Sequence, residues 1–276
     1  MADKVWVGTT SNLATASNWS PSGVPASGDN VYIPAGSGPI AGGTTLSTAT
    51  LSGSLGTVEI EAGYTGTIGS KDAYVVWTPT TFRFAGTGTS YINIEAAAIS
   101  PDIRATGQSS SSDGAGLYLK GSAIATLSVV GTCSIGVAFF GGETSTVTTA
   151  RVVGSNAKLI VGIGTTLTTL QILNGTTTLK AACTTLDVQG GTATTLGAGA
   201  ITTVTIDAGT AYLNASGTIT TLTQAGGTVD MLGNGLARTV STHNHNGGTL
   251  RYDKDVVTIT TYNRKAGPSK IDVSDP

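Results

Sequence analysis

Apolar and polar residues alternate over short stretches through the middle of the chain. Leu170 and Ile172, Leu186 and Val188, and Val204 and Ile206 each bracket a single polar position. A period of two is the pattern of a strand with one face buried. A Gly-Thr pair then interrupts, and a second short strand is predicted to end in Leu179, Leu196, Leu213 or Met231. The whole pattern recurs. Thr-Thr-apolar triplets begin at Thr168, Thr184, Thr202 and Thr220, in steps of 16, 18 and 18, and Gly-Thr pairs begin at Gly175, Gly191, Gly209 and Gly227, in the same steps. Each unit reads roughly T-T-L-x-[IV]-x-x-G-T-x-x-L, with Gln224 breaking the fifth position of the last copy. No stretch between copies is long or periodic enough for a crossover helix. Strands that return without helices most simply stack as coils of a solenoid, one coil on the next at about 4.8 Å. The predicted fold is all-β, a right-handed parallel β-helix. The right hand is favoured because no six-residue apolar repeat is sustained. Leu and Val ladders fill the interior, and Thr, β-branched yet wettable, suits the exterior.

Composition agrees with this pattern and excludes others. Glycine supplies 39 residues and threonine 49 of 276, while only 11% are charged, against about a quarter in a typical soluble domain. Like charges stacked at strand spacing repel, so a regular coil avoids them. Helical bundles and coiled coils need Ala, Leu, Glu and Lys instead. With 14 Lys and Arg against 16 Asp and Glu, a basic nucleic-acid surface is not expected. No apolar run reaches the length of a membrane span. The opening Met1-Ala2-Asp3-Lys4-Val5-Trp6 lacks the basic and apolar regions of a secretory signal, so folding in a cytoplasm is expected. Cys133 and Cys183 stand 50 residues apart without ligand spacing and read as small buried thiols.

Three regions follow. Residues 1–40 form an N-terminal cap or anchor, 41–250 the solenoid, and 251–276 a C-terminal cap or tail. The first region holds Trp6-Val7-Gly8, Asn18-Trp19, Gly23-Val24-Pro25 and Asp29-Asn30-Val31-Tyr32-Ile33. This arrangement resembles the opening of many parallel β-helix proteins, including surface adhesins and phage virion proteins, where W-x-G, N-W and G-x-P precede a D-x-V-x-I first strand. The string Thr57-Val58-Glu59-Ile60-Glu61-Ala62-Gly63-Tyr64 resembles coils of the same proteins. The end of a solenoid exposes its core and a strand edge, so an aromatic cap is expected there. Gln108-Ser109-Ser110-Ser111-Ser112-Asp113-Gly114 reads as a loop leaving the stack. The tail carries nine of the thirty charged residues.

Catalytic carboxylates are sought because many parallel β-helices cleave polysaccharides with converging acids. Asp187, Asp207 and Asp230 fall at three different places in the repeat and do not converge. Glu59 and Glu61 share a predicted strand face, with Glu95 or Asp102 as neighbours, and read as exposed strand residues. His243 and His245 read as polar residues on a wide turn, although a trimer axis that gathers such histidines would offer an ion site. No nucleotide loop, nucleophile elbow or lipidation signal is present. No catalytic residue, cofactor or metal ligand is therefore assigned.

The resemblance and the missing constellation imply a non-enzymatic bacteriophage structural protein. The expected form is a homotrimeric capsid decoration protein on the virion surface, bound to the major capsid protein or another virion protein through Trp6, Trp19, Val24 and Pro25, with no nucleic acid or membrane partner. The competing expectations are a tail fibre or adhesin that binds a carbohydrate receptor, and a polysaccharide depolymerase.

Overall fold

The structure, a computed structural model, describes residues 1–43, 45–46, 53–95, 98–105, 114–265 and 269–274. The loop predicted around Gln108 lies outside them, Gly114 excepted. Among the described residues the chain is a two-sheet parallel solenoid. Consecutive strands alternate between a front sheet of 14 strands and a back sheet of 12, and each strand pairs in parallel with its counterpart one coil away. The only exception is at the start, where Trp19–Ser20 pairs antiparallel with Asp3–Trp6. All but a few of the buried apolar side chains form one continuous core from Trp6 to Val257.

The sequence markers acquire physical causes. In the front strand Cys183–Val188 the side chains run buried, exposed, half-exposed, buried, half-exposed, buried. The Thr-Thr marker is the place where two successive residues face outward. Period two is broken there and the strand must bend. The same pattern recurs in Ile201–Ile206 and Ile219–Gln224. One of the two outward residues forms a continuous ladder: Thr126, Thr149, Thr169, Thr185, Thr203, Thr221, Thr242 and Thr261 stand in register over eight coils.

The Gly-Thr marker is the turn from the front sheet to the back. Gly175, Gly191, Gly209, Gly227 and Gly248 all adopt positive φ, between 62° and 82°. The Thr after each of the last four donates its backbone N–H to the carbonyl of the glycine one coil earlier, at 2.8 to 2.9 Å. A side chain at Gly209 would meet the Gly191 oxygen at 2.4 Å. The left-handed backbone and the close stack therefore both demand glycine.

The structure departs from the predicted pattern in two places. The inward ladder of the back sheet runs Leu179, Thr195, Leu213, so Thr195 and not Leu196 takes the buried place. Thr195 stands four residues after Gly191, as Leu179 and Leu213 stand four after Gly175 and Gly209, and Leu196 falls one residue past the inward position. The Thr195 hydroxyl, 2% exposed, accepts the Ala215 N–H at 3.1 Å. The second departure concerns residues 251–276. They contain the front strand Val257–Arg264 and the back strand Ser269–Ser274, which stack on Arg238–His245 and Gly248–Asp253. The coil pattern thus continues through the charged tail. Arg251 holds Asp230 at 2.7 Å and Asp272 at 3.7 Å on the outer face, an acid-base-acid ladder that replaces Thr where charges must stack.

The glycine ladder predicts unequal costs for two like substitutions. Gly197→Ala meets only a positive φ, with its nearest atom at 3.5 Å, and should lose about 1–2 kcal/mol. Gly209→Ala adds the clash with Gly191 and should lose clearly more, as read from the midpoint of denaturant unfolding.

Candidate functional site

The aromatic segment forms the closed end of the core. Trp6 is fully buried and Trp19 is 2% exposed, with ring centroids 5.1 Å apart in an edge-on pair. Each indole N–H donates to a backbone carbonyl, Trp6 to Gly38 at 2.9 Å and Trp19 to Leu13 at 2.8 Å. Asn18 explains the N-W motif. It is buried, its amide oxygen accepts from Thr9 and Thr10, and its amide nitrogen donates to Thr10 and Asn12. Asp29 accepts the N–H groups of Ala2 and Ala26. Its burial alone would raise its pKa, but these bonds prevail and hold the carboxyl below its ordinary range. Pro25 is buried and Val24 half-buried. The four residues nominated for partner binding thus face inward or sideways, and a partner at this end would meet the exposed Val7 and the backbone around it.

The acidic residues do not converge. Glu59 lies 3.5 Å from Arg83, and Asp102 lies 2.7 Å from Arg104. Arg83 stands in register between Glu59 and Asp102, so the two carboxylates alternate with arginines along the front face. Glu61 is exposed just past the strand end. Asp187 accepts a bond from its neighbour Gln189 at 2.8 Å. Asp230 is 7% exposed and paired with Arg251, not solvated alone. Glu95 belongs to the other sheet and to a different surface.

That surface is the main constellation the sequence reading missed. On the back sheet Tyr91, Asn93 and Glu95 face outward from one coil, with Tyr118 and Lys120 in register on the next. Tyr91 and Tyr118 stack at 4.7 Å and 9°. Gly136 occupies the third coil beneath Tyr118 and leaves room for Phe139, which would sit 2.7 Å from a side chain there. Phe140 lies 5.0 Å from Tyr118. Lys120 holds this stack to a charged groove. Its ammonium sits 3.8 Å from the Tyr74 ring centre and 3.6 Å from Glu143. Glu143 also accepts the Phe140 N–H at 3.0 Å, which fixes the loop that carries the two phenylalanines. Burial first, then the Glu143 carboxylate, push the Tyr74 phenol well above its ordinary pKa. Beside the stack is an open groove of about 670 Å³, lined by Asn93, Glu95, Lys120, Ser122, Glu143 and Thr166 among others. On the far side of the loop Ile163 is 78% exposed next to Phe139 and Lys180.

The second constellation is inside the core. His243 and His245 do not lie on a wide turn. They occupy the strand Arg238–His245, point inward, and are both fully buried. A trimer axis therefore does not reach them. They continue the apolar ladders of Leu222 and Ile206–Gln224. Their rings stack at 5.4 Å and 15°. His245 Nδ1 lies 2.6 Å from the Tyr262 hydroxyl, whereas both ring nitrogens of His243, the other nitrogen of His245 and Gln224 Oε1 have no hydrogen-bond partner. Among the described residues no group of three or more His, Cys, Asp or Glu side chains is arranged to hold a metal ion.

Comparison of the chain with protein-family models, with curated proteins and with solved structures finds no match. The class that the fold defines is the parallel β-solenoid, and the sites just described carry the functional reading.

Both cysteines are buried, and desolvation pushes their thiols up to about 12. Neither should react with an aromatic disulfide reagent in the native protein at pH 8, and both should react once it unfolds. Stoichiometric labelling of the native chain within minutes would contradict their placement.

Proposed function

We propose that the chain is a non-enzymatic structural protein of a bacteriophage particle, a capsid decoration protein that binds the major capsid protein at the virion surface as a homotrimer. The observation that carries this reading is the threonine ladder of the front sheet. It presents eight in-register hydroxyl and methyl groups along one side of a rigid rod without a charge among them. A regular, wettable and uncharged strip seats against a shell or a second copy without desolvating ions, whose burial is costly unless they are paired. The resemblance of the Trp6 to Ile33 segment to the opening of phage and adhesin β-helices supports the same class. The cap itself is consumed in closing the core, so the lateral face is the contact surface. The protein should co-sediment with expanded, undecorated capsids built from its own phage's major capsid protein. Thr203→Lys, which sets an ammonium in the middle of the strip, should abolish co-sedimentation while leaving thermal unfolding nearly unchanged. Wild-type protein that stays in the supernatant ends the decoration reading.

A second reading, a carbohydrate-binding fibre or adhesin, is favoured by the groove of the back sheet. Tyr91 and Phe140 are half-exposed rings beside Asn93, Lys120 and Glu143, and aromatic faces with convergent polar groups are the usual lining of a small-ligand cleft. With maltohexaose and cellohexaose as probes, this reading predicts saturable binding that Tyr91→Ala weakens at least tenfold, about 1.4 kcal/mol. Absence of binding to both sugars argues against it. The depolymerase alternative predicts release of new reducing ends from a capsular polysaccharide, and the alternation of Glu59, Arg83 and Asp102 gives no support to such turnover.

A further inference from the structure

The core changes character at its C-terminal end. From Val31 to Leu222 on one ladder of the front sheet, and from Ile33 to Ile206 on the next, nearly every inward side chain whose register is described is apolar. The following inward positions are Gln224, then His243 and His245, then Tyr262 and Arg264. A polar group without a partner inside a core destabilises the fold, and here four such atoms lie between neighbouring coils. What covers them is the front strand Val257–Arg264. Its residues after Val257 are exposed or half-exposed, and Tyr262, edge-on to both imidazoles at 5.3 and 6.0 Å, is 38% exposed. The lid is thin, because Val257 is its only buried side chain and Ile259 packs half-buried against the core.

We infer that this last coil is an acid-released clasp: protonation of the His243–His245 pair lifts the strand 257–264 from the stack and bares the edge of the strand 238–245. The surroundings decide this. The preceding coil offers Leu222 and Gln224, neither of them charged. The Gln224 amide nitrogen is already committed to the carbonyls of Thr249 and Gly227, at 2.9 and 3.4 Å. The pair's own strand begins with Arg238, a buried cation held by the carbonyls of Leu213, Leu236 and Gly233. The following coil brings Tyr262, Arg264 and Lys265. The back sheet brings Leu250 and Tyr252 to the core side, while Asp230 and Asp272 are engaged with Arg251 on the outside. An imidazolium formed here therefore meets cations, a phenol and, at His245, the backbone of Gly247 and Gly248, but no free carboxylate. It gains hydration only when the lid opens.

The direction in pH follows from the same environment. Burial, and then the neighbouring His245, lower His243 to about 4; burial also lowers His245, where it outweighs the Gly248 and Gly247 backbone groups that favour the charged ring. A base whose folded pKa is depressed stabilises the fold fully above its unfolded value, about 6.5, and loses that contribution as pH falls from there toward the folded value. The opened edge would present unpaired N–H and C=O groups, the usual template for strand pairing with another chain. Acid release would thus couple to association at this end of the rod. The clasp stands independently of the virion and carbohydrate readings.

Hydrogen exchange of the full chain followed by mass spectrometry, at pH 7.5 and pH 4.5 with intrinsic rates corrected, tests it. Peptides within 238–264 should lose protection at least tenfold at pH 4.5, while peptides within 165–206 keep theirs. His243→Leu, which extends the Leu222 ladder, should remove the difference, and His245→Gln, which repeats Gln224, should reduce it if the leucine variant does not fold. Equal protection of 238–264 at the two pH values overturns the inference. So does uniform loss along the chain, or a wild-type response that survives both substitutions.

Discussion

Every coil of this protein is hydrogen-bonded to the coil before it, so each side chain sits about 4.8 Å from its equivalent one coil away. That one constraint governs the rest of the structure. A position that works once must work against a copy of itself. Leucine, isoleucine and valine meet it inside, threonine meets it outside, and glycine meets it at a turn where the next glycine's carbonyl leaves no space for a side chain. Charge meets it only by alternating in sign, as Asp230, Arg251 and Asp272 do on the back sheet and Glu59 and Arg83 on the front. The scarcity of charge is therefore a consequence of the stacking. A growing stack has no intrinsic end, and its two ends are treated differently here. At the start two tryptophans and an antiparallel strand close the core. Toward the other end the core turns polar and the front strand Val257–Arg264 lies exposed.

The stacking also explains what could be read from the chain. A period near 18 survives in the sequence because register forces equivalent residues to the same place, so the Thr-Thr and Gly-Thr markers were legible before their causes were. The structure gives the causes, a pair of outward residues and a left-handed glycine turn. One error was of a single position. Leu196 looked like the end of a strand by its apolar character, but the inward place lies four residues after the turn glycine and falls to Thr195, where a backbone N–H satisfies its hydroxyl. Another was of chemistry. His243 and His245 lie among Ser, Thr and Asn, and polar neighbours suggested a surface turn. Their place is set instead by the two outward residues Ser241 and Thr242 that follow Val240, and by pairing with Leu222 and Gln224, a longer-range relation that composition hides.

The groove was illegible for a different reason. Tyr91, Tyr118, Phe139, Phe140 and Glu143 come from three coils of unequal length, outside the regular repeat, and only the register Tyr118 with Tyr91 brings the first two together. The long outward face of a solenoid can thus carry a local site that no motif announces. Position on the face decides its chemistry. Lys120 faces outward, so it joins Tyr74 and Glu143 rather than the core. The cap residues illustrate the converse, since tryptophans that suggested a docking surface are spent on closing the core.

The central claim is that equivalent residues of successive coils lie side by side on one ladder. Its most direct measurement is electron paramagnetic resonance of nitroxides on paired cysteines, with the two native cysteines, both buried, replaced by alanine. Labels at Thr203→Cys and Thr221→Cys, adjacent in register, should show strong dipolar and exchange broadening at about 5 Å separation. Labels at Thr203→Cys and Thr261→Cys, three coils or about 14 Å apart, should show much weaker broadening. Narrow, independent spectra from the adjacent pair would contradict the ladder and the account built on it.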